Sequence, residues 1–452
     1  MVLSNVNEII LQEVHNQKYN QQTKVITKHT QQAAKMNVTS VPNLLHGVDV
    51  INQLGRSLQG FGAKNAFVIT DKGLTKVGLT AQISDKIKES NINCVVYDNV
   101  VANPTVDVVD AGAKLLKELM KTGTTVVVTL GGGSSMDAGK SIAALSAQNY
   151  DSILDATIIP ALAKDQDSID FGTMRPKESI GNLAGIPKII AIPTTSGTAS
   201  ETNGAAVITD TTGDKHRKLI FVNDASKASL IIMDPKLTVG VPRYSTATCG
   251  MDVLTHALEA FTSAGQNEYG DAIAYGSIKL VAQYLPALMN DLSNVDLRQK
   301  LQLASHMAGV AFNISSLGLV HGVGHPLSAV LNQAHGQTLA TMLPHVMEFN
   351  MPVRADKYAE VAKAFNVYDS NLSDEANARK AIKAIAELSI TVGTAKSIRE
   401  MGGSEKDIPV LVNQALTDLS GMTNARPATR EAITAMYMAA MDNKELYPSS
   451  RM

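Results

Sequence analysis

The chain reads as an α/β domain with a parallel sheet over residues 37–236, followed by an all-helical domain over residues 237–452, behind an N-terminal extension of residues 1–36. Three observations predict this. At 452 residues the chain exceeds the ~250 to 300 residues at which a single hydrophobic core stops growing. From about residue 37, short β-branched runs alternate with longer helical stretches, and strand taking turns with helix implies parallel strands covered on both faces. After Asp234-Pro235 the strand-like runs stop and helical periodicity takes over.

Residues 1–36 are rich in glutamine and asparagine and poor in glycine and proline. Ile9, Ile10 and Val14 make one weak helical stripe, read as a helix on the body or at a subunit contact, or as a partly disordered lead. Ala66-Phe-Val-Ile-Thr70 reads as a strand, Thr80 to Ser90 as a helix, Ile92 to Tyr97 as a strand and Val106 to Lys121 as a helix. Thr125 to Leu130 is the next strand, Asp137 to Ala147 the next helix, and Lys188 to Ile192 a further strand. The polar, proline-containing stretch from about Asn149 to Pro187 is long for a connection inside a compact domain and is expected to be a surface excursion with elements of its own. In the second half Ala274, Ile278, Val281 and Leu285 recur at helical spacing.

Composition narrows the function classes. A net charge of −2 gives no electrostatic reason to expect nucleic acid or a membrane as partner, so any phosphate binding must be local. Cys94 and Cys249 lie far apart with neither metal-finger nor paired-thiol spacing, which fits a reducing, cytoplasmic setting. No run approaches the ~20 apolar residues of a membrane span, and no secretory signal is expected.

Histidine distribution carries the chemistry. Of ten histidines, His256, His306, His321, His325, His335 and His345 lie in one stretch, and three fall in the otherwise apolar or small run Gly318-Leu-Val-His321-Gly-Val-Gly-His325-Pro-Leu-Ser-Ala-Val-Leu-Asn-Gln-Ala-His335-Gly. Upstream, Gly250-Met-Asp252-Val-Leu-Thr-His256 sets a carboxylate and an imidazole four apart, on one helix face. A single such histidine is more often an ordinary core residue. Clustered in apolar surroundings, several imidazoles and a carboxylate leave buried polar atoms in need of partners, and the mixed oxygen and nitrogen set suits iron, nickel or zinc. Pro326 disfavours helical geometry at His325, which predicts a helix break there.

In the first half, the strand ending at Leu130 runs into Gly131-Gly132-Gly133-Ser134-Ser-Met-Asp137 and a helix. Glycines allow a sharp turn and close approach, and free amides at a helix start attract phosphate, although the pattern is not GxGxxG and a plain tight turn reads equally well. Asp71 closes a strand at the edge where ligands of open α/β sheets bind, placed for a ribose diol, though aspartate there also serves as a helix cap. Pro193-Thr194-Thr195-Ser-Gly-Thr198 supplies hydroxyls after the strand at Ile192. The site is therefore expected in the cleft between the two domains.

Taken together, GMDVLTHALEAF, GLVHGVGHPLSAVLNQAHG and Leu343-Pro344-His345 resemble the two signatures of the iron-containing (group III) alcohol dehydrogenases. VITD, Asn103-Pro104-Thr105, GGGSSMD, IPTTSGTASE and Lys218 are similar to that family's dinucleotide-binding segments, and Asn424-Ala-Arg426-Pro-Ala-Thr extends the likeness to about residue 440. The resemblance implies a Rossmann-like sheet, and metal ligands Asp252, His256, His321 and His335 with Fe2+ expected, Zn2+ or Ni2+ as alternatives. It places His325 beside the substrate as the catalytic residue, Phe312 in the substrate pocket, and Asp71 on the adenine ribose. NAD(H) is implied over NADP(H), since a carboxylate there repels a 2′-phosphate. Asn103, Gly131, Gly132, Gly133, Ser134, Asp137, Thr194, Thr195, Thr198 and Lys218 complete the implied cofactor contacts. Ser135 departs from the proline many relatives carry. The implied reaction interconverts small primary alcohols or diols, of 1,3-propanediol or lactaldehyde type, with aldehydes. A homodimer or larger homo-oligomer is implied as well. The competing readings are a zinc-type glycerol dehydrogenase or another member of the superfamily, including the lyase dehydroquinate synthase, and a non-catalytic protein whose metal fixes the helical domain.

Overall fold

Six parallel strands organise the first half: β1 (Asn43–His46), β2 (Asn65–Asp71), β3 (Asn93–Val100), β4 (Thr125–Gly131), β5 (Ile189–Pro193) and β6 (Leu230–Met233). They lie in the order β1-β6-β5-β4-β2-β3. The computed structural model describes residues 41–155, 169–170, 175–176, 185–211, 217–222, 224–443 and 446. The extension 1–36 and most of the 149–187 stretch lie outside the described residues.

Near-continuous apolar runs such as Ala66-Phe-Val-Ile are what a sheet buried on both faces demands. Phe67, Ile69 and Val127 pack with the helices Val106–Met120 and Gly133–Ser146 on one face. Ala66, Val68, Val126 and Val128 pack with Leu54–Gly60 and Leu79–Glu89 on the other. From β2 the chain steps outward to β3 and then returns to the other side of β2 as β4, with Val68 paired to Val96 and to Val128. That reversal makes the carboxyl ends of β2 and β4, at Asp71 and Gly131, the switch point where open α/β sheets take ligands. Three strand features went unread in the sequence: the short edge strand β1, its neighbour β6, and an antiparallel hairpin of Ala205–Asp210 with Arg217–Val222. Lys218 sits on that hairpin opposite Thr209, its side chain outside the description.

Asp234 caps the turn that ends the sheet half, accepting from Lys236 N at 3.1 Å. Beyond it every regular element among the described residues is helical. The stripe Ala274, Ile278, Val281 and Leu285 is wholly buried in the helical core. The helix Leu319–Leu331 runs through Pro326, which corrects the expected break at His325. Pro in a helix interior costs about 3 kcal/mol or more. Burying Leu319, Val320, Val323 and Leu327, each at most 2% exposed, returns about 1.5–3 kcal/mol apiece and wins. The glycine-loop helix begins at Gly133, not Asp137, with Gly132 as its N-cap and Gly131 ending β4. Among the described residues no single helix is long and apolar enough to cross a membrane.

Candidate active site

Three helices bring the polar cluster together. Arg243–Thr262 carries Asp252, His256 and Glu259 at i, i+4 and i+7, one stripe of an otherwise buried helix. Leu319–Leu331 carries His321 and His325 one turn apart. His335 opens the third helix, His335–Ala364. The next residue, Gly336, lies so close to the first helix that a Cβ would overlap the Thr248 carbonyl. Only glycine lets the third helix start where His335 reaches the others.

Asp252 Oδ1 is the hub. His256 Nε2 lies 3.5 Å from it, His335 Nε2 3.6 Å and His321 Nε2 3.8 Å. Ligand atoms of Asp252, His321 and His335 all fall within 4.8 Å of one another. Tetrahedral donors about 2.1 Å from one cation sit about 3.4 Å apart, so the spacings to Asp252 Oδ1 fit a first-row divalent ion, while His256, 3.5 Å from Asp252, lies outside the mutually close group of three. Asp252 Oδ1 and His321 Nε2 are buried with no hydrogen-bond partner, a costly arrangement that a cation relieves. Burial pushes the Asp252 carboxyl up to about 8, with the charge of Glu259 adding to it. Burial, together with neighbouring imidazoles, holds His256 and His321 well below 6.5, in the neutral form that binds metal.

His325 stands apart from this ligand set. Its Nδ1 pairs with Asp418 Oδ2 at 2.8 Å, and its ring stacks on His335 with centroids 5.2 Å apart. Burial lowers its pKa, but Asp418, Glu259 and Asp252 outweigh burial and raise it overall. Phe312 lies beside His256, ring centroids 4.8 Å apart. His306 and His345 serve elsewhere: His345 Nε2 bonds Asn443 Oδ1 at 2.6 Å, and His306 lies near His46.

On the sheet side, Gly131 has φ +147°, and Thr194 N donates to its carbonyl at 2.9 Å. A Cβ on Gly132 would lie 3.3 Å from Thr195 Oγ1, and one on Gly133 2.8 Å from Thr198 Cγ2. The threonine loop thus lies against the glycine turn, with Ser134 in the helix's first turn. Asp137 faces the protein: its oxygens accept from Val207 N at 3.0 Å and from Ser200 Oγ, with Lys140 Nζ 3.3 Å away. Asp71 caps the following helix, accepting from Leu74 N at 3.0 Å. Asn103 adopts φ +57° on the exposed link after β3.

The same loop joins the two halves of the site. A Cβ at Gly197 would lie 2.9 Å from Cys249 Cβ, one turn before Asp252. The glycine turn and the cluster are therefore separated by one loop, residues 194–198. Sequence reasoning missed Glu259 and Asp418, the acceptors for His321 and His325. Glu259 had a signal, as the third polar residue on the Asp252–His256 stripe; Asp418 is 93 residues from its partner and had none.

A three-imidazole, one-carboxylate cluster set against the switch point of a parallel sheet is the arrangement a metal- and dinucleotide-dependent enzyme needs. Comparison with known proteins narrows the class. The model described as "Iron-containing alcohol dehydrogenase" matches residues 42–235, and that of "Fe-containing alcohol dehydrogenase family, C-terminal" matches residues 246–441. The 1,3-propanediol dehydrogenase of Klebsiella pneumoniae is 33% identical over 403 residues, covering 88% of this chain and 97% of the relative. The NAD-dependent methanol dehydrogenase of Bacillus methanolicus is 30% identical over 400 residues, covering 88% and 98%. A crystal structure of 1,3-propanediol oxidoreductase superposes with a TM-score of 0.80 at 33% identity, covering 88% of this chain and 98% of that one. The chain belongs to the iron-containing alcohol dehydrogenase family, and it is an alcohol–aldehyde oxidoreductase.

Proposed function

We propose that the protein interconverts small primary alcohols or diols with their aldehydes, using NAD(H) and one divalent cation, Fe2+ foremost. The observation that carries this reading is the buried, unpartnered Asp252 Oδ1 ringed by three imidazole Nε2 atoms at 3.5–3.8 Å, one loop from the glycine turn. Asp252, His256, His321 and His335 would hold the cation. When bound, the cation supplies Lewis-acid polarisation of the substrate oxygen and NAD(H) supplies the two-electron exchange at the adjacent carbon.

The chain's own residues do the rest. His325, held through Nδ1 by Asp418 and with a third of its side chain open to solvent, carries the hydroxyl proton between substrate and solvent. Phe312 closes an apolar wall beside His256 and excludes water. Gly131, Gly132, Gly133 and Ser134, with Thr194, Thr195 and Thr198, receive the pyrophosphate at the start of the helix. Asp137 holds the threonine loop in place, Asp71 meets the adenine ribose, and Asn103 and Lys218 flank the cofactor. A working division at residues 236/237, supported by the matched family segments, and a cytoplasmic setting, supported by the free, widely separated Cys94 and Cys249, complete the reading, together with a homodimer or larger homo-oligomer.

Elemental analysis paired with NADH consumption over a panel of short aldehydes tests it. The expected result is one metal per chain, activity on two- to four-carbon aldehydes, loss on chelation and recovery on adding Fe2+. Undiminished activity after complete removal of metal would contradict it.

A further inference from the structure

Glu259 lies on the same stripe as two ligands yet is itself turned away from the hub. It is 5% exposed, and both of its oxygens are engaged. Oε2 meets His321 Nδ1 at 2.5 Å, while Oε1 accepts from Val320 N at 2.6 Å and from His321 N at 3.3 Å. The first amides of a helix have no partner within it and must find one outside. In Leu319–Leu331 that partner is supplied from another helix: Glu259 takes two of these amides, and Asn424 Oδ1 takes Leu319 N at 3.2 Å. A Cβ on Gly318 would lie 2.9 Å from Glu259 Oε1, so glycine at this position is what lets the chain enter the helix against the carboxylate.

We propose that Glu259 is the positioning residue of the metal centre. It fixes His321 as the Nδ1–H tautomer with Nε2 free for the cation, and it locks the two metal-binding stretches of the sequence together before any cation arrives. The inference rests on the metal reading above and deepens it. Two features agree. His321 Nε2 is the ring nitrogen left without a partner, as an Nδ1–H tautomer requires. The charges also balance, since a dication with Asp252 and Glu259 ionised and the histidines neutral has no net charge, which suits a buried centre.

Glu259→Gln separates positioning from mere capping. The amide oxygen can still accept from Val320 N, but the NH2 then faces His321 Nδ1, drives the proton to Nε2 and blocks ligation. With Co2+ as the probe, chelator competition on the full chain should show affinity reduced about 10- to 100-fold and an altered visible spectrum of the bound ion, with the unfolding midpoint of the metal-free protein and NADH binding near wild type. Asn424→Ser removes the other cap without touching His321; it should lower the midpoint and leave Co2+ affinity near wild type. On wild-type metal-free protein labelled with 15N-histidine and held above pH 8, where Glu259 is ionised, the His321 signal, assigned by its loss in His321→Asn, should show Nδ1–H, and this needs no Glu259 variant to fold. Wild-type Co2+ affinity in Glu259→Gln, or an Nε2–H tautomer at His321 above pH 8, overturns the proposal. Failure of wild-type protein to bind Co2+ at all would overturn the metal reading beneath it.

Discussion

His325 and His335 are the imidazoles of the cluster with about a third of their side chains open, 33% and 34%, and they divide the work at its mouth. His335 points Nε2 at Asp252, whereas His325 is tied back to Asp418. His325→Ala should therefore lower turnover about 100-fold or more, the usual loss of a proton-transfer group, with metal content near wild type; metal loss in that variant would show the ligands to be wrongly assigned. His335→Ala and His256→Ala should do the reverse and strip the metal first. Gly336 belongs to the same argument. In Gly336→Ala the new methyl meets the Thr248 carbonyl, which cannot yield as a flexible side chain would. Overpacking of this kind costs about 1–3 kcal/mol, and it displaces His335, so metal affinity should fall although no ligand has changed. Asp71→Gly should raise use of NADP(H) relative to NAD(H); an unchanged ratio would remove Asp71 from the ribose site.

At the scale of elements, the Gly133–Ser146 helix and the threonine loop act as one unit, because Asp137, Lys140 and Ser200 bind them together. Gly133→Ala forces a methyl to within 2.8 Å of Thr198. At about 1–3 kcal/mol, that should raise the KM for NADH roughly tenfold and leave turnover at saturating NADH less affected. An unchanged KM would place the dinucleotide elsewhere. These elements show what the sequence made legible. The strands of the sheet announced themselves because burial on both faces leaves no polar positions in Val126-Val-Val128 or Ile189-Ile-Ala-Ile192. The cluster announced itself because polar atoms in an apolar run demand partners. β1 is four residues long, too short for periodicity to register. Pro326 misled because a local rule about proline carries no information about the four apolar side chains its helix buries. Asp418 was invisible because its role arises only when a distant segment packs beside His325.

For the whole molecule, the metal-free centre is a liability that pH exposes. Burial pushes Asp252 and Glu259 up to about 8, so between their unfolded values and 8 the folded state binds more protons than the unfolded one and stability falls as pH rises. His256 and His321, held below 6.5, act in the opposite sense, but only below 6.5, where the unfolded chain still gains protons. His325, raised, loses its contribution as pH climbs through its folded value. Over about pH 6.5 to 8 the carboxyls therefore prevail, and chelated protein should lose melting temperature across that window. Protein loaded with a divalent ion should show a flatter profile, the cation compensating both carboxylates, and a higher midpoint by mass action. Identical slopes with and without metal would mean that the ion does not sit between these groups.

The central claim joins the two halves of the chain: four side chains of the helical half grip a cation within reach of a dinucleotide lodged at the glycine turn of the sheet. Anomalous diffraction from a crystal grown with Fe2+ or Zn2+ and NAD+ measures this directly. The account predicts one peak enclosed by Asp252, His256, His321 and His335, with the pyrophosphate on Gly131–Gly133 and the nicotinamide facing that peak across the threonine loop. A peak on other residues, or a nicotinamide turned away from those four side chains, would contradict it.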